Sequence, residues 1–337
     1  MALALTGCHN PVFDYEGDCE VTYKLQFVYD MNLDWADAFP TLVNRVNLYA
    51  FNSEDVFVKE YPLYEADGFG PGYSLTLDVP AGDYTLVAWA ALETGTTMAD
   101  CYTIPTLTPG TSTLQDLTCT INTYASDKYG ECSFERLPFL YYGNLEVNLP
   151  DSQDGADYVY TMHLIKDTNH VRAMVQKINS NITPEEIDVT IKAADGKMAW
   201  NNTLTGNETI TYVPWEIESE ELTVINSDGS EGATYTGVVA DLMTGRFTDT
   251  MPNGVTLSIV NTESEATIFS VPVIQYALTA KRYFETAYGK TMTDQEFLDR
   301  QSEYFMTFFV DENLNLRYTV VEILSWRVVI HNYQVGD

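Results

Sequence analysis

The chain has 337 residues, enough for about two domains of ordinary size. It carries 49 Asp and Glu against 17 Lys and Arg, a formal charge of −32. This charge argues against nucleic acid as a partner, because phosphate binding needs clustered basic residues, and against a basic amphipathic helix on anionic lipid. Apolar residues make up 45% of the chain and aromatic residues 13%, which favours a folded protein over a disordered one.

Alternation of apolar and polar residues with a period of two dominates the first half of the chain. The first such segment spans residues 19–29, with Tyr23, Leu25 and Phe27 on one face and Lys24 and Gln26 on the other. Strands about 8–12 residues apart with polar turns between them are typical of an antiparallel β-sandwich. Further strands are predicted at 46–51, 56–58, 73–77, 84–89, 111–121 and 145–149.

The second half resumes the strand pattern after a polar, turn-rich segment at 150–155. Thr293 and Glu296 fit a capping box, so we expect a helix at about 294–304, joined to a helical piece around 274–287. The sequence therefore predicts an all-β protein with two sandwiches in tandem and a short helical insertion. Residues 1–18 would be a truncated signal and tether, 19–150 the first sandwich and 151–337 the second. Strands of the second half are predicted at 158–164, 171–178, 187–193, 209–213, 222–226, 233–239, 254–260, 267–271, 319–324 and 326–331.

The N-terminus contains a candidate lipidation site. Residues 5–8 read Leu-Thr-Gly-Cys, which matches the bacterial lipobox, in which the Cys thiol is acylated and becomes the new N-terminus. Only seven residues precede Cys8 and none is basic, whereas a signal peptide has a basic region and about 7–15 apolar residues. We therefore expect an upstream start; the alternative is a chance match. The longest later apolar run, 86–92, is far shorter than the roughly 18 residues that span a bilayer, so a lipid anchor is predicted rather than a span.

Four further cysteines lie in the first half: Cys19, Cys101, Cys119 and Cys132. An exported protein can hold disulfides, and four thiols allow three pairings. None forms a C-x-x-C pair, so neither zinc nor thiol-redox chemistry is favoured. Disulfides with unknown pairing and free buried thiols both remain open.

Motifs for catalysis or cofactor binding do not emerge from the sequence. The spacing of His163 and His170 suits no metal site, and residues 226–231 are oxygen-rich but lack the distal Glu of a calcium loop. Tyr141, Tyr142 and Trp215 could stack on sugars or belong to a core. We predict no enzymatic activity, no cofactor and no metal.

Several segments carry a more specific signal through their order and spacing, and they span nearly the whole chain. Together they resemble the FimB-type fimbrial anchor lipoproteins, members of the fimbrillin family, of Bacteroides-like bacteria. The segments are DCEVT at 18–22 running into FVYD at 27–30, ADAFP at 36–40 and VNLYAF at 46–51, PAGDY at 80–84 leading to VAWA at 87–90, YG at 142–143, LIKDTN at 164–169, FLDRQSEY at 297–304 with FFVD at 308–311, and WRV at 326–328.

The resemblance implies two transthyretin-like sandwiches, a palmitoylated lipoprotein on the outer membrane, exposed at the cell surface, and a role in cell adhesion at the base of a fimbrium. The partners would be fimbrial pilins and, through the lipid, the membrane. Related fimbrillins polymerise by strand exchange after a protease cuts behind an Arg and removes the first strand, a form of β-augmentation. The expected function is to tether the shaft and limit its length by strand pairing with the first pilin.

The first strand bears on which member of the family this is. No Arg precedes Arg45, which lies in a predicted strand, so we expect the first strand to be retained. Two alternatives remain: a surface glycan-binding lipoprotein, which would need an exposed aromatic platform, and a shaft or tip pilin, which would need proteolytic maturation.

Overall fold

The structure is a computed structural model that describes residues 21–151, 156–225, 230–251, 253–323 and 326–331. Two short helices interrupt the strands of its first half, α1 (Phe39–Leu42) and α2 (Met98–Cys101). The predicted strand at 111–121 is shorter than expected, because Leu114–Asp116 form a 3-10 turn. The strands are β1 (Thr22–Val28), β2 (Arg45–Asn52), β3 (Phe57–Tyr64), β4 (Ser74–Leu77), β5 (Gly82–Leu92), β6 (Tyr102–Thr103), β7 (Thr118–Ile121), β8 (Thr123–Ser126), β9 (Gly130–Ser133) and β10 (Phe139–Leu149).

The second half has more strands and two longer helices, α3 (Val273–Tyr288) and α4 (Asp294–Arg300). A second 3-10 turn, Pro184–Glu186, precedes one of the strands. The strands are β11 (Asp157–His163), β12 (Ile165–Lys166), β13 (Asn169–Lys177), β14 (Ile187–Ala193), β15 (Lys197–Ala199), β16 (Ile210–Tyr212), β17 (Glu216–Ile225), β18 (Glu231–Thr244), β19 (Thr256–Asn261), β20 (Thr267–Pro272), β21 (Glu303–Val310), β22 (Leu316–Ile323) and β23 (Trp326–His331).

The first sandwich encloses its own core between two sheets, β11-β1-β4 and β12-β10-β5-β2-β3. Alternate residues of β5 face opposite sides: Leu86 and Ala88 lie in this core, whereas Val87 and Trp89 lie in the second core. A strand covered on both faces is apolar at every position, which explains why 86–92 is the longest apolar run of the chain.

The second sandwich is formed by the sheets β17-β18-β13-β21-β22-β23 and β20-β19-β14-β16-β9-β8, with a small sheet β15-β7-β6 beside them. Its core includes Val175, Ile191, Ile259 and Phe308 and is continuous with the outer face of the five-stranded sheet of the first sandwich. The expected all-β architecture built from β-sandwiches is confirmed.

The division between the sheets does not follow the predicted boundary at residues 150 and 151. β11 pairs in parallel with β1 along all seven of its residues, and Met162 and Leu164 are buried in the first core. Conversely, the β8–β9 hairpin extends a sheet of the second sandwich. The first sandwich therefore includes strands up to Lys166, because long-range pairing, and not the polar composition of 150–155, decides which sheet a strand joins.

Helices α3 and α4 confirm the predicted insertion with corrected ends. Ile274, Ala277 and Phe284 form the buried face of α3, which packs against β22, β23 and α4. The Thr293 hydroxyl accepts the Glu296 N–H (3.0 Å). α4 ends at Arg300 and not near residue 304, because β21 begins at residue 303. No helix in the described ranges is long and apolar enough to cross a membrane.

Candidate functional site

β1 is the central strand of its sheet, between β4 and β11. We call the position that β1 fills between these two strands the first-strand groove. On one side β1 pairs in parallel with β11, and on the other it pairs antiparallel with β4. Both backbone edges of β1 are therefore bonded. Its inward side chains, Tyr23, Leu25 and Phe27, and Tyr29 just beyond it, are at most 8% exposed.

Aromatic contacts hold the inward face of β1. The ring of Phe27 lies 5.5 Å from that of Phe39, and Tyr29 meets Tyr141 edge-on at 4.9 Å. The Tyr23 hydroxyl donates to the Pro150 carbonyl (2.6 Å). Burial of a large apolar side chain contributes about 1.5–3 kcal/mol, so the four inward groups contribute about 6–12 kcal/mol, comparable to the whole stability of a typical domain.

The chain leaving β1 is held by the second sandwich. The Arg300 Nη1 donates to the carbonyls of Asp30 (3.1 Å) and Asn32 (3.3 Å). The Trp35 ring lies between two cations, with the Arg300 guanidinium 3.5 Å and the Lys290 ammonium 3.3 Å from its centroid. Trp35 has a left-handed backbone (φ 54°), a conformation that persists only when its surroundings enforce it. We call these contacts the Trp35 clamp.

Sequence reasoning missed the Trp35 clamp, although Arg300 lies in the FLDRQSEY segment that carried the family signal. Glu296, one helical turn earlier, accepts from the Arg300 Nε (3.0 Å) and orients the guanidinium. The contact joins residues about 270 positions apart, so no local pattern could indicate it.

Arg45, the first arginine of the chain, is placed inside a sheet. It begins β2 and pairs with Tyr64 of β3 on one side and Ala91 of β5 on the other. Its Nε donates to the Glu93 carboxylate (2.7 Å). Proteases prefer exposed, flexible segments, so the peptide bond after Arg45 is a poor cleavage site in the folded protein.

The two edges of the six-stranded sheet containing β23 differ in character. β17, at one edge, presents the exposed carboxylates of Glu216, Glu218 and Glu220, a charge pattern that discourages strand addition. β23, at the other edge, pairs only with β22 among the described residues. Val328 is buried and Val329 is half exposed, so within the described part of the chain β23 has one unpaired edge and an apolar outer position.

Cys101, Cys119 and Cys132 are buried free thiols in the structure, and no disulfide joins any two of them. Burial raises the pKa of Cys101 to about 11 and that of Cys119 well above its usual range. A protonated, inaccessible thiol is unreactive. Cys8 and Cys19 lie outside the described residues.

The two histidines considered as metal ligands, His163 and His170, have different partners. His163 contacts Asp30 (2.9 Å), whereas His170 lies between the carboxylates of Glu303 and Asp241, each 2.7 Å away. No group of three or more potential metal ligands occurs within the described part of the chain.

Of the aromatic residues considered for sugar stacking, Tyr141 and Tyr142 are core residues, whereas Trp215 is only partly buried and lines a cavity. Most of residues 226–231, the oxygen-rich segment, lies outside the described ranges.

Comparison with known proteins identifies the family. The model of the family described as "Fimbrillin-A associated anchor proteins Mfa1 and Mfa2" matches residues 15–332. No curated protein matches the chain significantly.

Solved structures show the same fold. A candidate adhesin from Bacteroides thetaiotaomicron is 25% identical with a TM-score of 0.75, covering 92% of this chain and 97% of that one. A candidate polysaccharide-binding protein from the same species is 26% identical with a TM-score of 0.74, covering 94% and 99%. The fimbrial anchor protein Mfa2 of Porphyromonas gingivalis is 17% identical with a TM-score of 0.64, covering 93% and 99%, a likeness of fold. With the family match over residues 15–332, the chain belongs to the Fimbrillin-A associated anchor proteins.

Proposed function

We propose that this protein anchors a fimbrium at the outer membrane, tethered through a lipid on Cys8, and that it holds the shaft and limits its length by strand pairing with the first pilin. Membership of the anchor family supports a structural, fimbrium-associated role at the cell surface. The observation that carries the proposal is the filled first-strand groove. A groove that already holds its own strand cannot accept the strand of another subunit, so the polymer ends on that side.

The position of β1 also suits a tether. The lipid would be joined to the body through the residues before β1. A force along β1 would then act on its hydrogen bonds to β4 and to β11 at the same time. The Trp35 clamp then links the end of β1 to α4 of the second sandwich. Loss of β1 would detach the body from its lipid, so retention of the strand and anchoring require each other.

The free edge of β23 is the surface that we assign to pilin pairing. Backbone hydrogen bonds of an added strand supply affinity, and alternate side chains supply specificity. The opposite edge of the same sheet, β17, is acidic and thus a poorer acceptor for a strand. A Val329→Lys substitution places a charge on the outer face of β23 and should weaken shaft retention; Gln176→Lys on β13, inside the same sheet, is the matched control.

N-terminal analysis of the mature protein from outer membranes tests the proposal. We expect acylated Cys8 as the first residue, and a start beyond residue 30 would contradict a retained β1 and favour a shaft or tip pilin. Gene deletion should give long, released fimbriae, as should complementation with Cys8→Ala. Complementation with Cys101→Ala should restore anchored fimbriae, since Cys101 is a buried thiol. Unchanged fimbriae after deletion would refute the anchor role.

A further inference from the structure

A cleft lies where loops of the first half of the chain meet the second sandwich. It consists of two adjoining cavities of about 400 and 480 Å³, which share Thr96, Arg136 and Trp215 as lining residues. We call it the Trp215 cleft. Each cavity lies within the size range of small-ligand sites. None of its lining residues belongs to β1, β23 or the Trp35 clamp.

Aromatic surfaces line the outer part of the Trp215 cleft. Tyr124 of β8 and Phe134, just after β9, are each 40% exposed, and their rings are 6.2 Å apart. Trp215 precedes β17, and its ring lies 4.9 Å from the imidazole of His170 at an interplanar angle of 44°. Single exposed aromatic residues are common on protein surfaces, but several that line one cavity form an exposed apolar patch, which indicates a binding surface.

Hydrogen-bonding groups surround these aromatic faces. The carboxylate of Glu303 lines the inner cavity and is positioned by His170 Nδ1 (2.7 Å) and Lys166 Nζ (3.5 Å). Arg136 lines both cavities, and within the described ranges it has neither an ion-pair nor a hydrogen-bond partner, although the chain carries a charge of −32. Thr96, which carries a hydroxyl, also lines both cavities. The cleft thus presents a fixed acceptor, a free guanidinium and a small hydroxyl.

We propose that the Trp215 cleft binds a short segment of a saccharide chain. A pyranose ring has an apolar C–H face that stacks on an aromatic ring and an equatorial belt of hydroxyls that bond to carboxylate and guanidinium groups. The cleft offers both, side by side. An apolar peptide side chain would bury the Arg136 guanidinium without a partner, which is unfavourable. The inference is independent of the proposed anchoring function and would give the protein an adhesive site of its own.

Purified full-length protein, screened on an array of plant, host and bacterial glycans and then titrated with the best soluble oligosaccharide, tests the proposal. We expect binding that quenches tryptophan fluorescence. Affinity should fall at least about tenfold in Arg136→Ala, whose exposed side chain can be removed without unfolding, and also in Trp215→Ala. Trp215→Phe, which keeps a ring and the fold, should lie between. Tyr64→Ala is the matched control, because Tyr64 is 51% exposed on β3, outside the cleft.

Two results would overturn the saccharide site: no glycan binds, or the cleft variants bind glycans as well as the Tyr64→Ala control does. The anchoring function has a separate readout. Arg136→Ala cells should keep fimbriae of normal length, so failure of the glycan experiment leaves the anchor proposal intact, and the reverse also holds.

Discussion

Substitution of Phe27 by Ala should open the first-strand groove without removing the strand. Phe27 is 3% exposed and stacks on Phe39, which in turn stacks on Phe69 at 5.3 Å. Removing a buried Phe side chain costs about 3–5 kcal/mol, since the transfer free energy is lost and a cavity is left. That is a large fraction of the 5–15 kcal/mol that holds a typical domain folded.

Hydrogen exchange resolves the effect locally. In Phe27→Ala, the free energy of opening measured at amides of β1, β4 and β11 should fall by about 3–5 kcal/mol. Amides of β13, in the second sandwich, serve as an internal reference and should change little. Gln26→Ala is the matched control: Gln26 points to the opposite face of β1, and we expect a change within about 0.5 kcal/mol.

Strand exchange gives the functional readout. A labelled peptide with the sequence of residues 21–31 should bind to the Phe27→Ala protein by displacing β1 from the first-strand groove. The native and Gln26→Ala proteins should not bind this peptide. Equal loss of stability in both variants, or peptide capture by the native protein, would refute the view that side-chain burial keeps the groove closed.

Three further outcomes follow from the structure. Arg300→Ala removes two charge-assisted hydrogen bonds and a cation–π contact. It should therefore destabilise the protein by about 2–4 kcal/mol and speed proteolysis within residues 30–37. Arg300→Lys should restore only part of the lost stability, because Lys lacks the planar guanidinium. Asp167 is buried, and burial is the main reason why its pKa is raised to about 7. Because this pKa exceeds the unfolded value of about 3.9, the contribution of Asp167 to stability is full at low pH and is lost as the pH rises from about 4 to about 7. Asp167→Asn should therefore reduce the dependence of the urea midpoint on pH in this range. Cys101, buried and with its pKa raised to about 11, should resist alkylation in the native protein and react in denaturant, as mass spectrometry of tryptic peptides would show.

Each of these predictions has a control variant or a result that would contradict it. For Arg300, the exposed Arg282→Ala on α3 should leave proteolysis unchanged. An unaltered pH slope in Asp167→Asn would show that the buried carboxyl is not the source of the dependence. Labelling of Cys101 at the same rate with and without denaturant would contradict its burial.

Local sequence pattern located many of the strands and the two longer helices, but it missed α1, α2, β21 and the short strands β6, β8, β9, β12 and β15. Period-two alternation located β1, β2, β13 and β14, and the residues around Thr293 located the start of α4, because these signals depend only on neighbouring side chains and on backbone geometry. The order and spacing of the short segments suggested the family, and the match of the family model over residues 15–332 confirmed it.

Tertiary structure alone decided which strands meet and what surrounds each side chain. The pairing of β1 with β11 joins residues more than 130 positions apart, and the Trp35 clamp joins residues about 270 apart. The sequence suggested Tyr141, Tyr142 and Trp215 as exposed aromatics, yet only Trp215 lines a cleft, where Tyr124 and Phe134 join it. An aromatic residue satisfies a core and a binding surface equally well, so its role depends on the packing of elements distant in the chain.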